Sequence, residues 1–155
     1  MRRKEREITE KSEIFDVLAR CDTVRIGMQG ERFPYVVPVS FGMEVVDEKA
    51  VVYFHCAKEG RKLDLLRAHP DVCVEGDVFI RTEKTAHGIT ARYESVIGFG
   101  RCGFLEDEGE IKRALQLLND HYGYPDYALE NCKALSHVLV GKIVLEEITG
   151  KRNLP

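Results

Sequence analysis

Three apolar runs separated by two short polar turns fill the stretch from residue 23 to residue 56. The runs are 23–28, 33–46 and 50–56, and the turns are Gln29-Gly-Glu-Arg32 and Asp47-Glu-Lys49. Connections this short leave no room for a crossover, so consecutive runs must pair as antiparallel hairpins. Pro38 lies inside the second run, in Tyr35-Val-Val-Pro-Val-Ser-Phe41. Proline donates no N–H to a ladder, which makes this strand an edge or bulges it there. Its neighbours can then offer unpaired backbone to a flat ligand, although an ordinary edge strand reads as well.

Helices fall between and after these strands. Ile14, Val17, Leu18 and Cys21 recur at helical spacing over 12–21, with Ser12 as N-cap. A short helix over 60–69 is stopped by Pro70. Residues 108–122 put Ile111, Ala114, Leu115, Leu118 and Tyr122 on one face, with Asp107 as cap and Glu110 three residues on. A further short helix is expected over 126–135. Residues 72–80, 92–105 and 138–148 read as strands. The polar, aperiodic stretch 81–90 reads as a loop, and 149–155 as a tail. Gly98, Gly100 and Gly103 in one strand suit the bends that barrel closure demands. About six strands with peripheral helices and no β-α-β alternation exclude a doubly wound parallel sheet. The expectation is a mainly β chain, a small antiparallel barrel or an α+β sandwich, with one domain over 1–155.

Composition narrows the function. The net charge of −3 argues against a general nucleic-acid binder, which would carry a basic excess. Cys21, Cys56, Cys73, Cys102 and Cys132 are odd in number and form no C-x-x-C pair. Without a signal peptide they read as reduced thiols in a cytoplasmic protein with no metal site. No apolar run reaches the length of a membrane span. Met1-Arg-Arg-Lys-Glu-Arg6 reads as a solvated arm.

The most informative stretch is His55-Cys-Ala-Lys-Glu-Gly-Arg-Lys-Leu-Asp64. A strand ends at its start, and a helix begins near Gly60 with Arg61 and Lys62 in the first turn. Cations there oppose the helix dipole, at about 0.3–1 kcal/mol each. Lys58 adds a third positive charge, which Glu59 and Asp64 offset in part. A bound phosphate would resolve the conflict, gripped by the Arg61 fork and by Lys62 as a point charge. Two solvated surface charges account for the pattern equally well. His55 shares strand parity with Val51 and Tyr53; it reads as a barrel histidine with a satisfied hydrogen bond or as a polar group at the mouth of the same pocket, and its position beside the basic turn favours the second.

Gly98-Phe-Gly-Arg-Cys-Gly103 matches the dinucleotide fingerprint G-x-G-x-x-G. The match is rejected, because Phe104-Leu-Glu-Asp107 separates the last glycine from any helix. Tyr93, Ser95 and Arg101 share one face of that strand and can reach a ligand, a partner or a carboxylate. His121-Tyr-Gly-Tyr124 reads as a helix end and packing corner. No nucleophile–histidine–acid set emerges.

Other segments complete an ordered series: Glu7-Ile8, Cys21-Asp22, Pro34-Tyr-Val-Val-Pro38, Tyr53-Phe-His-Cys-Ala57, Gly60-Arg-Lys-Leu-Asp64, Tyr93-Glu-Ser-Val-Ile-Gly98, His121-Tyr122 and Thr149-Gly-Lys-Arg152. Together they resemble the pyridoxamine 5′-phosphate oxidase-like FMN-binding split barrels, and among these the branch of 5-nitroimidazole antibiotic resistance proteins. The resemblance implies a six-stranded antiparallel Greek-key split barrel and a homodimer with FMN at the subunit interface. It implies that Arg61 and Lys62, near Lys58, hold the FMN phosphate. Val37, Pro38, Val39 and Ser40 would present backbone to the flavin ring. His55, Cys56 and Ala57 would line the ring and ribityl chain, and Ser95 would contribute from the neighbouring strand or subunit. Relatives often carry Ser or Gly where Cys56 stands. The implied activity is reduction of a small acceptor such as a nitroimidazole or nitroaromatic, with His55 catalytic and a nicotinamide as possible donor. Two alternatives share the fold: a non-catalytic flavin binder, and a haem- or deazaflavin-binding split barrel.

Overall fold

The computed structural model describes residues 2–86, 88–129 and 137–155. Eight strands form one sheet: β1 (Glu7–Ile8), β2 (Val24–Met28), β3 (Tyr35–Val39), β4 (Gly42–Val46), β5 (Lys49–Ala57), β6 (Asp71–Thr85), β7 (Gly88–Phe104) and β8 (Val138–Asn153). Among the described residues three α-helices accompany them, α1 (Lys11–Arg20), α2 (Arg61–Ala68) and α3 (Glu108–His121), with a 3-10 turn at Lys4–Arg6. The strand order is β3-β2-β6-β7-β8-β5-β4, with β1 added on β8. Every pairing is antiparallel. The architecture is the mainly β split barrel with peripheral helices that the sequence predicts, with eight strands in place of six.

Alternation builds the interior. On β2, Val24, Ile26 and Met28 are buried while Arg25 faces out, and on β6 Val72 and Val74 point the same way in. These side chains, with Phe41, Val52, Phe54, Val96, Ile143 and Leu145, form the main core. Ile14, Val17 and Leu18 of α1 join it, as α1 packs on β6, β7 and β8. The α1 boundary shifts slightly from expectation: Glu10, not Ser12, is the N-cap, and it supplies no side-chain cap bond. Asp107 caps α3 as predicted, its Oδ1 accepting from Glu110 N at 2.9 Å.

Strand β5 is buried on both faces. Val52 and Phe54 point into the barrel, whereas Val51 and Tyr53 point out beneath Ala114, Leu115 and Leu118 of α3. At Gly42 a Cβ would lie 2.5 Å from Leu118 N, so only glycine lets α3 approach β4 this closely.

Three expectations need correction. The run 33–46 is two strands, because the chain turns at Ser40 and Phe41 to bury the Phe41 ring. Residues 81–90 are a hairpin and not a loop, with the ladder running from Arg81↔Arg92 to Thr85↔Gly88. That arm is held by ion pairs of Glu83 with Arg81 and Arg92, so it has no apolar period to detect. The tail 149–155 is mostly strand, since β8 pairs with β7 as far as Tyr93↔Asn153. Its Gly150 and Lys151 also pair with Ile8 and Glu7, which ties down the end of the basic arm. Of the helix expected over 126–135, residues 126–128 are not helical, and 130–136 lie outside the described residues, as does Cys132.

The rejected glycine motif lies wholly within β7. A bulge between Phe99 and Gly100 shifts the register against β8, and a Cβ on Gly100 would sit 2.1 Å from Val144 O. Gly100 therefore serves the barrel's bend. Among the described residues no helix is long and apolar enough to cross a membrane. None of their histidine, cysteine, aspartate and glutamate side chains cluster in threes to hold a metal.

Candidate functional site

The sheet has two unsatisfied edges on one side of the molecule. Strand β3 ends the strand order, with only β2 beside it; Pro38 pairs with Arg25 there, as an edge proline should. Strand β4 leaves β5 after Gly42↔Tyr53, so residues 54–57 of β5 have a ladder only with β8. Between these edges and the start of α2 lies a cleft of about 400 Å³.

Val37, Pro38, Cys56, Ala57, Arg61 and Lys62 all line this cleft. Gly60 begins α2 with φ +124°, a conformation that favours glycine, and provides no side-chain cap. The first-turn amides of the helix therefore have no capping side chain as acceptor. The Arg61 guanidinium lies 4.7 Å from the Tyr35 ring centroid. Lys62 Nζ lies 5.5 Å from that of Phe54. Both cations are thus braced by aromatic faces at the mouth of the barrel. Among the described residues Glu59 is the one acid on the cleft wall.

Cys56 points into the barrel beside these groups and is buried. Burial pushes its thiol up, against the opposing pull of Lys62 and Arg67. Cys102 is pushed up to about 12 by burial first and Cys56 second. Burial, with Asp77 and Glu75 nearby, does the same to Cys21, also to about 12. An unfolded thiol ionises near 8.5, so between about pH 9 and 12 the unfolded chain gives up protons that the folded chain keeps. Stability must then fall as pH rises through that window. The expected result is a urea midpoint that drops on going from pH 8 to about pH 10.5, with a shallower drop in Cys102→Ala.

The other predicted residues divide. His55 and Ser40 line a second, neighbouring cleft together with Asn119, Tyr122, Tyr124 and Tyr127. His55 has outward parity on β5, so it shares the side of Val51 and Tyr53, not that of Cys56. The expectation that His55 sits in the same pocket as Arg61 and Lys62 is corrected here: His55 lines the second cleft, under the end of α3, whereas Cys56 and Ala57 at the strand end line the first. Val39 is buried in the core, so only its backbone is available at the edge. Lys58 is exposed and lines neither cleft. Ser95 lies on the outer face of β7, opposite Asp77 and Lys151, away from both clefts within one chain.

Beside Ser95 is a feature that the sequence reading left in the tail. Lys151 Nζ lies 5.9 Å from the Tyr93 ring centroid. Burial raises the Tyr93 hydroxyl, but hydrogen bonds from Lys151 and Arg6 outweigh it and leave a net lowering. Arg101 pairs with Asp71 at 3.3 Å. The His121–Tyr124 corner packs as expected. His121 Nε2 donates to Cys21 O at 2.9 Å, and Tyr122 Oη donates to Asp22 O at 2.7 Å.

Tyr35, Phe54 and Asn119 were missed by sequence reasoning. Tyr35 and Phe54 carry a signal in retrospect, as aromatics whose inward parity meets the helix start. Asn119 carries none, because its position beside His55 arises only when α3 packs on β5.

A family model described as pyridoxamine 5′-phosphate oxidase matches residues 10–152. Among solved structures, a protein from Bacteroides thetaiotaomicron provisionally named a 5-nitroimidazole antibiotic resistance protein aligns with a TM-score of 0.82 at 28% identity, covering 94% of this chain and 86% of that one. A flavocytochrome from Azotobacter vinelandii aligns with a TM-score of 0.83 at 19% identity, over 100% and 72% of the two chains. A FAD- and haem-binding protein from Mycobacterium smegmatis aligns with a TM-score of 0.78 at 17% identity, over 97% and 75%. The latter two are alike in fold only. No curated protein matches the chain.

Proposed function

The chain belongs to the pyridoxamine 5′-phosphate oxidase family, and from that premise we propose that it is a flavoprotein that binds FMN and reduces a small acceptor such as a nitroaromatic. The observation that carries the reading is the pairing of two cations, Arg61 and Lys62, with an uncapped helix start beside two open sheet edges. The stacking on Tyr35 and Phe54 only offsets the cost of placing those cations at a helix start. A phosphate does, because it takes the free amides of the first turn, the guanidinium fork and the ammonium together.

In this reading Arg61 and Lys62 hold the phosphate, and Lys58 adds to the local positive field. The edge backbone of residues 37–40 and the end of β5 at Cys56 and Ala57 flank the ring. FMN supplies the electron transfer when bound, and the protein supplies position and polarity. His55 donates a hydrogen bond or proton to the reduced acceptor from the adjoining cleft, and a nicotinamide is the electron donor. Ser95 lines neither cleft of its own chain, so its part is played across a homodimer interface, next to Lys151 and Tyr93.

The absorption spectrum of the purified protein tests the cofactor directly. The expected result is the two-banded visible spectrum of an oxidised flavin, with FMN as the released mass. A haem band, a deazaflavin mass or a colourless protein that takes up no added FMN overturns the proposal. The haem arm is included because two structural neighbours carry that group in their names.

A further inference from the structure

The second cleft, of about 320 Å³, has its own chemistry. Leu115 and Leu118 of α3 line it together with Leu129, Val138 and three partly exposed tyrosines, Tyr122, Tyr124 and Tyr127. Its polar side chains are Ser40, His55, Asn119 and the three tyrosine hydroxyls, and no Asp, Glu, Lys or Arg lines it among the described residues. A charged occupant would lose its hydration without gaining a counter-ion. The volume is at the low end for small-molecule sites and admits one ring system, not a flavin nucleotide.

One group in the cleft is unsatisfied. Asn119 Nδ2 is buried and has no hydrogen-bond acceptor among the described residues. The backbone carbonyl of the same residue is occupied, accepting from Tyr122 N at 3.2 Å and Tyr124 N at 2.8 Å, so the helix end is fixed while the side-chain amide waits. The amide torsion is broad, and no hydrogen bond among the described residues holds the Nδ2 group where it is.

We propose that this cleft binds a small uncharged aromatic molecule bearing a hydrogen-bond acceptor, and that the Asn119 side-chain amide reads that acceptor. The tyrosine rings supply edge and face contacts to the ring. Because His55 of this cleft adjoins Cys56 and Ala57 of the other, the occupant lies next to the flavin; that adjacency rests on the proposed function, but the binding does not.

The test uses the full chain as purified, with and without added FMN, and titrates nitrobenzene, toluene and benzoate. Nitrobenzene is expected to bind about tenfold tighter than toluene, the difference one satisfied buried donor makes. Benzoate is expected to bind more weakly than nitrobenzene. In Asn119→Leu the preference for nitrobenzene disappears while toluene still binds. Since that substitution also alters the end of α3, the Asn119 side-chain amide resonance of the unaltered protein is followed in parallel. It must move with nitrobenzene and stay in place with toluene. Equal affinities for the two, or an unmoved amide, overturn the proposal. A colourless protein that takes up no FMN sinks only the flavin reading, and these titrations stand without it.

Discussion

Replacing Arg61 and Lys62 together by alanine is expected to weaken FMN binding by roughly 100-fold or more at fixed ionic strength. Each lost charge-assisted hydrogen bond is worth about 1.5–3 kcal/mol, and each factor of ten is about 1.4 kcal/mol. The same substitution is expected to change the stability of the unliganded protein by less than about 1 kcal/mol. Two cations leave the positive end of α2, which stabilises by about 0.3–1 kcal/mol each. Against that, Arg61 loses its stacking on Tyr35 and Lys62 its approach to Phe54, worth about 0.5–1 kcal/mol each. The two contributions nearly cancel, so affinity and stability separate cleanly. Calorimetric titration of FMN gives the first quantity and urea unfolding the second. Lys112→Ala on α3 serves as a control with the charge change of a single lysine at a remote site. The double variant should also show a smaller salt dependence of binding. If its affinity equals that of the unaltered protein, Arg61 and Lys62 are surface charges and the cofactor lies elsewhere.

Much of this site was legible before any fold was known. The odd placement of Arg61 and Lys62 at a helix start and the edge that Pro38 suggests both survive in three dimensions. Such features are local: they depend on neighbours within a few residues along the chain. What was not legible depends on packing between distant segments. His55 reads as part of the phosphate pocket until α3 covers one outer face of β5 and opens a separate cleft there. The hairpin beyond Arg81 reads as loop because its stabilising pairs are ionic and its faces exposed. The tail reads as loose because its ladder partners are the distant residues 7–8 and 93–97. The same distinction explains why the Asp107 cap was found and the unsatisfied Asn119 was not.

Phe54→Ala is expected to cost about 3–5 kcal/mol, the usual range for emptying a fully buried aromatic site. The ring is wholly enclosed in the main core, and total stabilities are only about 5–15 kcal/mol. Its position is dictated by Gly141 on β8. A Cβ at that residue would lie 2.3 Å from the Phe54 ring edge, too close for any rotamer adjustment to relieve without moving the ring. Gly141→Ala alone is therefore expected to destabilise by about 1–3 kcal/mol through overpacking. The two changes must not add. Once Phe54 is alanine, the clash is gone and the new methyl group fills part of the cavity. In that background Gly141→Ala is expected to be neutral or stabilising, a coupling of at least about 1 kcal/mol in a double-mutant cycle. Urea unfolding of the four proteins measures it, with unchanged m-values confirming that the same surface is exposed. Additive effects would mean that the ring does not rest on Gly141. The Phe54 ring also lies below Lys62, so the residue that fills the barrel is the one that supports the cation at its mouth. Packing and the candidate site are thus joined through one side chain. Phe54→Leu, which keeps most of the volume and removes the aromatic face, should retain more of the stability than Phe54→Ala while loosening the hold on Lys62.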